Sequence, residues 1–191
     1  MRLTGPDANP VVALDYALAA LARAAWLGVE VVVLGSSGAK NVPAGFPHAE
    51  ARGQLLALLR ELAPVAARYG VTIVLEPISR PEANFVNLAA DALALVLELD
   101  QPSVRLLVDY FHMTHEAEDP GIIRDAGLLV RHLHFARPRG RVFPTTWEPQ
   151  YEPFFQALKD VGYAERLSVE AYTNDFAADG PRTLHLLRAA L

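Results

Sequence analysis

The stretch Val71-Thr72-Ile73-Val74-Leu75-Glu76-Pro77 decides how this chain is read. Val71 to Leu75 is short, apolar and rich in β-branched residues, the composition of a strand buried on both faces. Pro77 cannot donate to a sheet ladder, so the strand ends there. Glu76 then falls at the C-terminal strand end, where buried scaffold gives way to loop. A bare carboxylate in that position is costly, so it must pair with something or bind something. Three later stretches repeat the arrangement: LLVDYFHM (106–113), VRHLHFA (130–136) and LSVEAY (167–172). Each is an apolar run ending in an acid or a histidine.

Working outward, the same apolar runs alternate with helical patterns. Asn9-Pro10 is a helix start, with Asn as cap and Pro in the first turn. A helix is expected over Val11 to Leu27 and a strand over Val29 to Leu34. A second helix runs from His48 to Tyr69, kinked or split at Pro64 and stopped by Gly70. Strand Val71–Glu76 follows, then a helix over Leu88–Leu99 capped by Asn87, and strand Val104–Asp109. A short helix from Asp119-Pro120 to about Leu129 leads into strand Val130–Phe135. After a basic, Pro-rich loop come helix Tyr151–Val161, strand Leu167–Glu170 and a last helix starting at Asp179-Gly180-Pro181.

This alternation predicts a parallel sheet with helical crossovers. Glu76, Asp109, His134 and Glu170 are separated by 33, 25 and 36 residues. A (β/α)₈ barrel devotes roughly 30 residues to each unit. The expected fold is therefore α/β, a TIM (β/α)₈-type barrel that is N-terminally incomplete, with about five parallel strands. The expected organisation is a single partial TIM-barrel domain over residues 1–191. In such a barrel the active site lies at the C-terminal strand ends. The open edges of an incomplete barrel need covering, and a second copy of the chain is expected to do so as a homodimer.

Composition narrows the function. Of 191 residues, 52% are hydrophobic and 20% charged, which excludes a disordered chain. Net charge is −5, so no nucleic-acid partner is expected. No apolar run reaches membrane-spanning length and no leader pattern follows Met1, which makes a cytoplasmic protein the expectation. There are no cysteines, so any metal must be held by histidine and carboxylates.

Three carboxylates and an imidazole make a hard, oxygen-rich ligand set. It suits Mn²⁺ first, with Mg²⁺, Co²⁺ or Zn²⁺ as alternatives. Without a cation the crowded carboxylates would repel and take up protons. An ion held by Glu76, Asp109, His134 and Glu170 could chelate neighbouring sugar oxygens and polarise a carbonyl. A flanking carboxylate could then remove the adjacent proton through a metal-stabilised enediolate. Each residue alone also has a plainer reading. Glu76 could pair with Arg80, Asp109 could be a helix cap or turn residue, and His112 and His115 could be loop histidines. His132 and His134 could be core histidines, and Glu170 an arginine partner. Trp147 and Tyr151 read as packing. Gly35-Ser36-Ser37-Gly38 could cradle a phosphate on backbone N–H groups, although no Walker pattern accompanies it.

The pattern resembles the xylose-isomerase-like TIM-barrel superfamily of sugar isomerases and epimerases, within it the ketose 3-epimerases of the D-tagatose/D-psicose type. The matching motifs are LEP with a second acid six residues on (Glu76, Glu82), DYFHM (Asp109, His112), HLH (His132, His134) and LSVEAY (Glu170). The resemblance implies metal ligands Glu76, Asp109, His134 and Glu170, with Glu76 and Glu170 also the catalytic acid/base pair. It implies substrate contacts from Glu82, His112 and an arginine, for which Arg137, Arg139 and Arg141 compete and Arg141 is preferred by position. The family's first two to three βα units have no counterpart in the sequence. The expected activity is a divalent-metal-dependent isomerase or epimerase acting on a sugar or polyol. Alternatives are a metal-dependent endonuclease for abasic DNA, or a truncated non-catalytic barrel that binds a metal or ligand.

Overall fold

The computed structural model describes all 191 residues, Met1 to Leu191. Its five parallel strands are β1 (Val31–Leu34), β2 (Thr72–Leu75), β3 (Val104–Asp109), β4 (Val130–Phe135) and β5 (Arg166–Val169), in the order β1-β2-β3-β4-β5. This is the partial TIM-type sheet that the alternation predicts, with each neighbour next in sequence. Eight helices accompany it: α1 (Pro10–Trp26), α2 (Ser37–Lys40), α3 (His48–Tyr69), α4 (Ala89–Leu99), α5 (Tyr110–His115), α6 (Gly121–Ala126), α7 (Glu152–Asp160) and α8 (Phe176–Ala190). The chain forms two compact units, Met1–Leu106 and Leu107–Leu191, whose boundary falls inside β3.

In the first unit, β1 pairs with β2 in parallel from Val31 opposite Thr72 to Leu34 opposite Leu75. β2 pairs with β3 from Ile73 opposite Val104. α1 packs on α3, and α3 covers β2 and α4. The core comes from Leu21 of α1, Ala51, Leu55, Leu59, Ala63 and Ala66 of α3, and Val74 and Leu75 of β2, all at most 2% exposed. The spacing of 4, 4, 4 and 3 along α3 is the stripe of one helical face. Each buried leucine contributes on the order of 1.5–3 kcal/mol. α1 starts as its sequence dictates, with the Asn9 side chain accepting from Val11 and Val12 N–H. α3 stops at Gly70, whose φ of 66° is the left-handed conformation that suits glycine.

In the second unit, β4 pairs with β5 in parallel, His132 opposite Arg166 and His134 opposite Ser168. Its core is aromatic. Tyr110 stacks on Phe135 at 4.7 Å, while Tyr151, Phe154 and Phe155 meet that pair edge-on or tilted. Trp147 closes against Tyr151 and Phe155, so Trp147 and Tyr151 serve packing, as their sequence context indicates.

Several boundaries differ from expectation. α3 runs through Pro64 as one helix. The start of α4 is organised by Asp91, which accepts from Asn87 and Leu88 N–H, whereas the Asn87 amide is spent on the carbonyls of Ile78 and Ala83. α8 begins at Phe176, ahead of Asp179, because the Asp175 side chain caps Ala178 N–H at 3.0 Å; Pro181 then lies inside the helix. Two short helices, α2 and α5, follow strands where only loop was expected.

Candidate metal centre

Each expected ligand stands at a C-terminal strand end. Glu76 follows β2, Asp109 is the last residue of β3, His134 is the penultimate residue of β4 and Glu170 follows β5. In the second unit, Asp109, His134 and Glu170 each present a donor atom, and those atoms lie within 4.8 Å of one another. Glu76 belongs to the first unit.

Asp109 divides its two oxygens. Oδ1 accepts from Phe111 N–H at 2.8 Å and caps α5, so the plain reading of Asp109 as a helix cap is also correct. Oδ2 lies 3.7 Å from His112 Nε2 and 3.9 Å from Arg141 Nη2. His112 is a buried helix residue of α5, one turn on from Asp109, and not a surface loop histidine. His134 Nδ1 lies 3.3 Å from Glu170 Oε2, and Arg141 Nη2 donates to the same oxygen at 2.6 Å. The His134 hydrogen bond, helped by the charges of His134 and Arg141 and opposed by burial, holds the Glu170 carboxyl down at about 2. Glu170 is therefore ionised throughout the neutral range although half exposed.

The three competing arginines separate cleanly. Arg137 pairs with Glu148 at 2.5 Å, Arg139 is exposed, and Arg141 reaches the carboxylates. Arg141 also lies over the Phe111 ring at 4.6 Å. Its φ of 48° is rare for a side-chain-bearing residue and costs on the order of 1–3 kcal/mol. The turn is held by Arg137 N–H on the Val142 carbonyl and by Tyr172 N–H on the Arg141 carbonyl, two residues past Glu170. His132 shares a strand face with His134, the rings 5.3 Å apart, and bonds Ser168. Burial and the neighbouring His134 push His132 down to about 4, keeping it neutral, the core histidine of the plainer reading.

In the first unit Glu76 is buried, 6% exposed. The loop after β1 receives it. A Cβ on Gly35 would lie 2.1 Å from Glu76 Oε2, so any larger residue there would displace the carboxylate from this position. Lys40, at the end of α2, is 1% exposed and donates from Nζ to the Glu76 carbonyl at 2.6 Å. Burial pulls its ammonium down to about 8, against the opposing pull of the Glu76 charge. Neither Gly35 nor Lys40 was expected to serve the site; the glycine-rich run GSSGAK just after a strand was the available signal. Glu82 lies exposed on the loop after β2, its N–H on the Ser79 carbonyl.

The donor set fits a hard divalent ion. Asp109 and Glu170 each have an oxygen within ion-pair distance of one cationic nitrogen of Arg141, an arrangement in which positive charge offsets the repulsion of crowded carboxylates. Oxygen-rich donors with one imidazole match Mn²⁺, Mg²⁺ or Co²⁺ and admit Zn²⁺.

A parallel α/β sheet with acids and a histidine gathered at its C-terminal strand ends defines a TIM-type protein with a candidate metal centre. The chain belongs to the xylose isomerase-like TIM barrel family, whose sequence pattern matches residues 1–189. An L-ribulose 3-epimerase of Mesorhizobium japonicum is 35% identical over 62% of this chain and 40% of its own length. A D-psicose 3-epimerase of Ruminiclostridium cellulolyticum is 32% identical over 60% of the chain and 39% of its own. Among solved structures, 3-keto-D-glucoside 4-epimerase of E. coli superposes with a TM-score of 0.80 at 25% identity, covering 92% of this chain and 70% of that one. The chain thus spans about two fifths of the length of those curated relatives. No helix is long and apolar enough to cross a membrane.

Proposed function

We propose that the protein is a divalent-metal-dependent sugar isomerase or epimerase. One observation carries the reading: donor atoms of Asp109, His134 and Glu170 lie within 4.8 Å of one another at strand ends. The similarity to ketose 3-epimerases supports it. Glu76 is the proposed fourth ligand, and Mn²⁺ the proposed ion, ahead of Mg²⁺, Co²⁺ and Zn²⁺. When bound, such an ion supplies Lewis-acid stabilisation of negative charge on a carbonyl oxygen.

The chain's own residues do the rest. Glu170, ionised at neutral pH, accepts the proton from the carbon beside a ketose carbonyl. For epimerisation Glu76, having taken a proton from solvent, delivers it to the opposite face of the same carbon, and Glu170 releases the one it took to solvent; for isomerisation Glu170 returns its proton to the former carbonyl carbon while the hydroxyl proton passes to the former carbonyl oxygen. His112 and Arg141 orient substrate oxygens by hydrogen bonding, and Glu82 adds a contact from its loop. Arg141 balances carboxylate charge where substrate enters. The substrate is a free sugar, or a polyol that carries a ketone. The edge strands β1 and β5 and the exposed apolar residues Val11, Tyr16, Trp26 and Leu27 support a homodimer, and a cytoplasmic location goes with this reading.

The test is hydrogen exchange. Ketoses and keto-polyols are incubated in D₂O with protein shown to be loaded with Mn²⁺, Mg²⁺ or Co²⁺. Exchange at the carbon beside the carbonyl, with appearance of the epimer or isomer, is expected for at least one. No exchange from a demonstrably loaded protein contradicts the proposal.

A further inference from the structure

The segment Gly35–Lys40 is built around one residue. Leaving β1, the chain passes Gly35, which lies beneath the Glu76 carboxylate with no room for a Cβ. Ser36 then takes a left-handed φ of 45°, unusual for a residue with a side chain. That turn starts the single helical turn α2 and brings Lys40 back under the end of β2. Two further bonds fix the return. Leu3 N–H donates to the Ala39 carbonyl at 2.8 Å, and Thr4 Oγ1 donates to the Lys40 carbonyl at 3.0 Å.

Lysine is among the residues least often fully buried, because taking an ammonium from water is costly. Here the buried ammonium has a definite partner, the Glu76 carbonyl at 2.6 Å. Glu76 N–H closes the β1–β2 ladder on the Leu34 carbonyl at 3.2 Å. Its own carbonyl lies past the ladder, and Pro77 behind it has no N–H to extend the pairing. Lys40 thus anchors the peptide group on the C-terminal side of Glu76, as the ladder bond anchors the one on its N-terminal side, and it brings a positive charge that interacts with the Glu76 carboxylate.

We propose that Lys40 is a positioning residue for the metal ligand Glu76. It locks the Glu76–Pro77 peptide and balances the buried carboxylate, so that the oxygens are presented to the ion in one orientation. The proposal rests on the reading of Glu76 as a ligand. Partners of this kind typically change metal affinity by ~10–100-fold when removed.

The experiment is calorimetric titration of the metal-stripped chain with Mn²⁺ alone, on wild type and on Glu76→Gln, Lys40→Met, Lys40→Gln and Lys40→Arg. Circular dichroism and the metal-free Tm confirm that each is folded. The expected order is Glu76→Gln weakest, Lys40→Met weakened ~10–100-fold, Lys40→Gln weakened less, and Lys40→Arg within about threefold of wild type. Rescue by arginine is the signature of a held carbonyl and a retained charge; a merely structural lysine would lower the metal-free Tm and leave the affinity of the folded protein unchanged. If Lys40→Met does not fold, Lys40→Gln against Lys40→Arg makes the same comparison. Wild-type affinity in Lys40→Met or Lys40→Gln, alongside a loss in Glu76→Gln, overturns the role of Lys40 and leaves the metal site standing. Wild-type affinity in Glu76→Gln overturns the ligand reading and the proposal with it.

Discussion

Two glutamates at strand ends are held in opposite ways. Glu76, past β2, is buried and fixed by backbone geometry: a glycine that makes room, a ladder bond on its N–H and a lysine on its carbonyl. Glu170, past β5, is half exposed and fixed by side-chain charge from His134 and Arg141. A buried ligand needs space and backbone anchorage, because water is not there to forgive error. An exposed ligand can be steered by neighbouring charges, but the same charges depress its basicity. The two ends therefore should fail differently when perturbed.

The largest effect is expected from removing either carboxylate's proton chemistry. Glu170→Gln and Glu76→Gln should each lower kcat by about 10²–10⁴-fold, measured with whichever ketose the exchange assay identifies. Near-normal kcat in either would reassign that residue.

Next come the supports. Gly35→Ala forces a methyl into the space of the Glu76 carboxylate and should weaken Mn²⁺ binding by ~10–100-fold, with no counterpart at Glu170, where no such clearance exists. Unchanged calorimetric affinity would show that Glu76 has room to move. Asp109 lies between the two extremes, since one oxygen caps α5 and the other faces Arg141. Asp109→Asn keeps a capping oxygen and should lose metal binding with little loss of stability. Asp109→Ala should lose both, with an added cost of about 0.5–2 kcal/mol in denaturant titration.

The smallest effect concerns pH. Glu170 is depressed to about 2 from an ordinary 4.5. A depressed carboxylate contributes stability above its unfolded value and loses it as pH falls through the folded one. In metal-free protein, the Tm difference between wild type and Glu170→Gln should be constant above about pH 5 and shrink towards pH 2. A difference independent of pH would mean that the His134 and Arg141 contacts do not form in solution.

Much of this was legible in the sequence. Apolar runs marked β2, β3 and β4, whose residues are mostly buried and leave little polar alternation; β5, Arg-Leu-Ser-Val with alternating exposure, was legible from its place in the alternation of strands and helices. The acid or histidine at the ends of β2, β3, β4 and β5 marked the candidate ligands. The helix stop at Gly70 and the start at Asn9-Pro10 followed from backbone chemistry. What was hidden depends on contacts distant in sequence. Lys40 looks like any surface lysine until α2 turns it beneath Glu76. The three arginines of residues 137 to 141 are alike until Tyr172 pins the turn and leaves Arg141 on Glu170. Asp175 and Asp179 are both fair caps, and only the bond to Ala178 N–H chooses between them.

The central claim is that side chains from four strand ends share one ion. Anomalous diffraction at the manganese edge from crystals grown with Mn²⁺ tests it most directly. The expected result is a single peak ligated by Glu76, Asp109, His134 and Glu170, with Arg141 withdrawn from Glu170. A peak elsewhere, or an ion lacking any of the four as a ligand, would contradict it.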